Sequence, residues 1–282
     1  MGKTGEVFPM AKRKAVQNNN LNKNNKGQGH GKEYVPGLTV RDVPSKGLST
    51  RIAGWKTGRV HHFLSIGELN YFYCLEWSQP VVDIREQYLL PLERTLEIAE
   101  RLGIKHPIKP RTKEWNVMST DFLIDIEDEG HVRLKARTFK QTSDLSSKRK
   151  IEKLEIERMF WKEQGIDWGI VTENEIPDAL VYNIKWVHSA KELSSGPGIT
   201  RMMLKQIEFK LYDLITKYHA PIAHIALEVD NQLGLSPGSS LWVIRHLIAN
   251  RIWLVDMNTP IDTGSHLNTL ERYELSSMVA GD

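Results

Sequence analysis

The 282 residues, 40% hydrophobic and 26% charged, can hold two small domains or one large one. The single cysteine, Cys74, excludes an intrachain disulfide and a cysteine-built zinc site. No apolar run approaches the ~20 residues that span a bilayer, and Met1 to Met10 lacks a signal core, so no membrane role and a cytosolic location are expected.

The net charge of +3 is modest, but Met1 to Lys32 carries seven Lys/Arg against one acid, Glu6. That stretch is rich in Asn, Gly and Gln and poor in apolar groups, so residues 1–33 read as a mobile basic arm. Lys12, Arg13, Lys14, Lys23 and Lys26 are its candidate phosphate contacts. A solvated tail explains the composition equally well.

Order is expected to begin near Tyr34 to Val40, with Arg59 to Leu64 leading towards a helix. Ser65 to Trp77 reads as that helix, on the stripe Leu69, Phe72 and Tyr73. Val81 to Tyr88 is β-rich, and Glu93 to Leu102 is helical up to Gly103. Val117 to Ile126 and Val132 to Phe139 read as two strands joined through Gly130. Lys148 to Gln164 is a charged amphipathic helix with Ile151, Leu154 and Trp161 inward, and Ile166 to Val171 a short strand. This order predicts a mixed α/β sheet with flanking helices, the αβββαβ arrangement of restriction-endonuclease-like folds. Ser194 to Gly198 is the linker candidate, dividing a domain at 34–193 from one at 194–282. In the latter, helices Arg201 to Tyr218, Ile222 to Gln232 and Ser239 to Asn250, then the β-run Ile252 to Met257, predict a winged helix.

A nuclease that uses Mg²⁺ needs clustered oxygen ligands and a cation near the phosphate. Strand parity places Val132, Leu134, Ala136, Thr138 and Lys140 on one face, with Arg133, Lys135 and Arg137 opposite, towards solvent or DNA. An acid at the start of one strand, Asp121, can meet a lysine at the end of its hairpin neighbour, Lys140.

The pairing of Ser119-Thr120-Asp121 with Thr138-Phe139-Lys140 resembles the PD-(D/E)xK nuclease motif. Five segments in order also resemble the TnsA family of heteromeric TnsA/TnsB transposases, which includes those of CRISPR-associated transposons. They are Gly27 to Lys32, Lys56 to His62, Asp83 to Gln87, Met118 to Leu123, and Glu152 to Glu157. The resemblance implies a Mg²⁺-dependent DNA endonuclease, Mn²⁺ substituting, that cuts the non-transferred strand at the 5′ ends of a transposon. It implies as partners transposon-end DNA, a DDE-type transposase (TnsB-like) and an ATP-using regulator (TnsC-like), the last through the C-terminal region. Carried over residue by residue, it places the helix glutamate on Glu68, the strand aspartate on Asp121 and the lysine on Lys140. Thr138 stands where related enzymes have glutamine or an acid, so it is a weaker ligand candidate, and the Phe139 backbone carbonyl is another.

Each residue also has a plainer reading. Ser65-Ile66-Gly67-Glu68 has the pattern of a capping box, so Glu68 can serve its own helix. Lys135 competes with Lys140 because Arg133-Leu134-Lys135 has the same spacing. Thr138 is an ordinary β-former, and Glu157 reads as a solvated helix charge. His61 and His62 are adjacent on a strand and face opposite ways, which favours structural or DNA contacts for them over a metal pair; Arg59, His61 and Arg137 complete the DNA-contact candidates. A stand-alone restriction endonuclease and a non-catalytic DNA-binding scaffold subunit are the alternative functions.

Overall fold

A computed structural model describes residues 25–42, 50–267 and 270–273. The hairpin of β1 (Thr50–Ala53) and β2 (Val60–Phe63) precedes α1 (Ile66–Trp77), so Arg59 to Leu64 leads towards the helix as a strand. Then come β3 (Val81–Leu89), α2 (Leu92–Arg101), β4 (Ser119–Asp128), β5 (His131–Phe139), α3 (Lys148–Glu163) and β6 (Asp167–Val171). The last four helices and the final ribbon are α4 (Asp178–Val187), α5 (Arg201–Lys217), α6 (Ile222–Leu233), α7 (Ser239–Ala249), β7 (Trp253–Leu254) and β8 (Glu271–Arg272). Of the arm expected over residues 1–33, Lys12, Arg13, Lys14 and Lys23 lie outside the described residues, whereas its end is ordered: Gln28 bridges Val35 and Gly31–Glu33 form a short 3-10 turn.

The central sheet has the order β3-β4-β5-β6, antiparallel except for the parallel pair β5 and β6. Such a mixed sheet needs cover on both faces, and two apolar clusters provide it. Ile84, Phe122, Ile124 and Phe139 face α1 with Phe63 and Phe72, while Leu123 and Ala136 face α2 and α3 with Ile98, Phe160 and Trp161. The first cluster continues through α4 into α5, α6 and α7, so the C-terminal helices share a core with α1. Within it Val243, Ile244, Leu247 and Ile248 of α7 are buried, and Gly196 lies against the Trp242 ring.

Several expected inward residues are outward. Val132 and Leu134 are 60% and 38% exposed, because the β4–β5 hairpin runs past its helical cover. Ile151, at the first turn of α3, is 43% exposed. In β3, Gln87 has φ of 50°, a left-handed conformation unusual for a side chain larger than glycine. It breaks the alternation: Glu86 meets His61 on the α1 side, whereas Tyr88 meets Trp161 on the α3 side.

Ser65 caps α1, its hydroxyl accepting from the Glu68 N–H at 3.2 Å. The first turn can lie against β5 only because residue 67 has no side chain: a Cβ there would sit 2.0 Å from the Phe139 ring. Gly67→Ala should therefore cost about 1–3 kcal/mol in denaturant unfolding and lower cleavage by pushing Glu68 outward. Unchanged stability would show that α1 is not held at this distance.

Candidate active site

Asp121 lies next to Phe122, which pairs with Arg137, so the register sets Asp121 beside the end of β5. Its Oδ2 accepts the Phe139 N–H at 2.9 Å and Lys140 Nζ at 3.0 Å. Lys140 Nζ also donates to the Phe139 carbonyl at 2.6 Å. On the other side, Gln87 Nε2 stands 3.4 Å from both Asp121 Oδ1 and Glu68 Oε2, while its Oε1 accepts from the Ser119 hydroxyl at 3.0 Å. The left-handed turn at residue 87 thus aims an amide between the two carboxylates. Glu68 is anchored in turn by the Leu64 N–H at 3.1 Å and the Ser65 hydroxyl at 2.9 Å. Capping and a place in the site coexist in one side chain.

Of the two candidate lysines, Lys140 meets Asp121, and Lys135 pairs with Ile124 and Asp167 further along the sheet. Thr138 is buried, and its hydroxyl donates to Glu157 Oε1 on α3. The same oxygen accepts from Thr120 at 2.8 Å and Trp168 Nε1 at 3.1 Å, and Trp161 Nε1 donates to Thr120 at 2.7 Å. Glu157 is therefore no solvated charge; it is 4% exposed. Its position between Leu154 and Trp161, at spacings of a buried stripe, is the sequence signal that points to it. Gln87 carries no comparable signal.

Four of the expected DNA contacts are turned inward or engaged. His61 is 0% exposed, with Nδ1 at 2.8 Å from Glu86 and Nε2 at 2.7 Å from the Thr57 hydroxyl. Arg59 donates to Glu86 and to the Ile84 carbonyl at 2.8 Å, and stacks over Tyr34. These partners hold the Glu86 carboxyl down at about 2: burial opposes its charge, and Arg59 and His61 overcome that. The pair serves a buried acid, which removes both from a DNA surface. Arg137 is bonded to Asp167 at 2.7 Å, and Lys26 to Asp42 at 3.1 Å. His30, Asp83 and Asp125 also gather within 4.8 Å of one another, but Arg85 already lies between the two acids.

Glu68, Glu157, Lys140 and Lys153 line one open cleft of about 690 Å³ with Ser65 and Ser119. Burial, then the Asp121 charge, pushes the Glu68 carboxyl up to about 7. Burial and Asp121 do the same to Glu157. Burial works against the Lys140 ammonium, but Asp121, Glu157 and Glu68 outweigh it and keep its value above the ordinary one. Close carboxylates with an adjacent backbone carbonyl form an oxygen donor set that fits a hard divalent cation. A carboxyl raised on folding favours its neutral form, so stability declines as pH rises from 4.5 through about 7. Glu68→Gln removes that loss. Relative to the metal-free wild type it should gain about 1–3 kcal/mol between pH 5 and pH 8 in thermal melts; an equal difference at both pH values contradicts the assignment.

Residues 78–173 match the family model described as TnsA-like endonuclease N terminal, a span that includes Gln87, Asp121, Lys140 and Glu157. Residues 175–257 match TnsA endonuclease C terminal. The chain is 42% identical over 228 residues to the Transposon Tn7 transposition protein TnsA of Escherichia coli, an alignment covering 81% of each chain. The chain belongs to the TnsA family and is an endonuclease of transposition.

Proposed function

We propose that the protein hydrolyses phosphodiester bonds at the 5′ ends of a transposon, on the non-transferred strand, with Mg²⁺ or, in its place, Mn²⁺. The observation that carries this reading is Asp121 joined to Lys140 on one side and, through Gln87, to Glu68 on the other. The order of α1, β3, β4, β5, α3 and β6 supports a restriction-endonuclease-like, PD-(D/E)xK core. The three helices α5 to α7 and the β7–β8 ribbon support a winged helix.

Asp121 and Glu68 would hold the ion, with the Phe139 carbonyl as a further ligand. When bound, the ion supplies Lewis-acid stabilisation of the phosphate and lowers the pKa of the attacking water. Lys140 holds the Asp121 carboxylate and the Phe139 carbonyl and carries positive charge to the mouth of the site, where it orients water and offsets charge developing on the phosphate. Gln87 fixes the spacing of the two carboxylates. Thr138 acts through Glu157: its hydroxyl is spent on that carboxylate, which supports a positioning role over a strong ligand role.

The substrate and partners we assign are transposon-end DNA, a DDE transposase (TnsB-like) and an ATP-using regulator (TnsC-like). Regulator binding falls to the C-terminal region. The buried apolar residues of α7 leave few groups to read bases, and Arg245 is bonded inward to the Trp186 carbonyl at 2.7 Å and the Ser189 hydroxyl at 2.6 Å.

Asp121→Asn keeps the side-chain shape and removes the charge. With the partner transposase and Mg²⁺, it should lower 5′-end cutting by about a hundredfold or more, while melting stays near the wild-type value. Wild-type cutting by this variant in a strand-specific assay would remove Asp121 from the site.

A further inference from the structure

The segment Lys56 to His62 supplies Arg59 and His61 to the core, but Lys56 serves no such purpose. Its loop lies over the C-terminal end of α1, where the N–H groups of Trp55 and Lys56 both donate to the buried Glu76 carboxylate. Trp55 and Trp77 meet edge to face, with ring centroids 6.4 Å apart. Lys191 stands over Trp55 at 5.3 Å, and Arg251 over Trp77 at 4.0 Å. Two cations from the far end of the chain are thus seated on two touching tryptophans beside Lys56.

The charges in this seam do not balance. Lys191 donates to the Ala249 carbonyl at 3.2 Å and Arg251 to the Trp77 carbonyl, neutral partners both. The Lys56 ammonium has no hydrogen bond or ion pair among the described residues; only its backbone N–H is engaged, by Glu76. The Glu76 carboxylate accepts the two backbone N–H groups and stands 3.6 Å from His188 Nε2, while Glu192, beside Lys191, is exposed and screened, so three cations meet one buried acid. His188, stacked on Trp55 at 4.6 Å, leaves Nε2 without a hydrogen bond. Burial comes first in holding the Lys56 and Lys191 ammonium groups below their usual value; Glu76 and Glu192 oppose it, the neighbouring cations add to it, and the net direction stays down. Half-buried cations that repel one another are costly unless an anion arrives.

We propose that Lys56, Lys191 and Arg251 form a second DNA contact, gripping a backbone phosphate outside the catalytic cleft. The placement suits a duplex lying across the cleft. Glu68 and Glu76 are eight residues apart on α1, about 12 Å along its axis. That is the axial rise of about three or four base pairs. The tryptophan faces pre-order the cations, so little side-chain freedom is lost on binding. The contact is sequence-independent and fixes where the scissile phosphate falls.

The inference rests on the reading that this chain itself holds DNA, so the experiment separates the two. The full-length chain and its Lys56→Gln, Lys191→Gln double variant are titrated with a labelled transposon-end duplex from 50 to 200 mM salt, without divalent ion. Melting is measured in parallel. The slope of log affinity on log salt should become shallower by about one unit, with weaker binding at low salt and no fall in melting temperature. An unchanged slope overturns the proposal. So does a lower melting temperature with an unchanged slope, which makes the seam internal glue. Lost binding to poly-glutamate with an unchanged DNA slope would assign the seam to an acidic protein instead. If the wild type shows no salt-dependent duplex binding, DNA holding by the isolated chain fails together with this contact; a variant matching a binding-competent wild type removes this contact alone.

Discussion

Two carboxylates kept close together, partly out of water, set the terms for the rest of the cleft. Glu68 and Asp121 repel each other, and burial adds to the cost of their charge. The chain offsets this with a cation on one flank, Lys140, and a neutral amide between them, Gln87. Every oxygen has a donor, but Glu68 Oε1 and Asp121 Oδ1 accept only one each, which leaves a lone pair on each towards a divalent ion. The amide reaches its place only through a left-handed residue in the middle of a strand. Backbone strain of this kind, about 1–3 kcal/mol, collects at functional sites and persists where packing over-determines it.

Two other buried acids show how the same problem is solved when no ion is needed. Glu86 is matched by Arg59 and His61, remains charged, and ties the β1–β2 hairpin to the sheet. Glu157 has only neutral donors, from Thr120, Thr138 and Trp168, and its carboxyl rises to about 7. It anchors α3 to β4 and β5 directly beneath the residues that flank Lys140. The three acids differ by what surrounds them: Glu86 holds structure as an ion, Glu157 favours its neutral form among neutral donors, and Glu68 stands beside the Asp121 charge.

Much of this was legible in the residues alone. The α1, β4, β5 and α3 patterns located their elements to within a few residues, because each has a clear apolar period. The meeting of Asp121 and Lys140 followed from hairpin register. Other features lacked a local signal. The strand at His61 and His62 was legible, but the burial of His61 was not, because its partner Glu86 lies 25 residues away. α4 went unread between two turn-rich stretches, although Val181, Ile184 and Val187 are its buried stripe. Glu157 resembled an ordinary helix charge until its donors on three other elements were in place. The left-handed Gln87 has no sequence signature, since nothing about glutamine requests that conformation. For His61, Glu157 and Gln87 the deciding partners are long-range and absent from any short window.

The account depends on Glu68 and Asp121 forming one ion site while Thr138 works through Glu157. Mn²⁺ titration followed by the loss of the free-ion electron paramagnetic resonance signal tests this directly, on the wild type, Asp121→Asn and Thr138→Val. The account predicts a fall in affinity of at least about tenfold for Asp121→Asn and a far smaller change for Thr138→Val. Equal losses in both variants, or undiminished binding by Asp121→Asn, would contradict it.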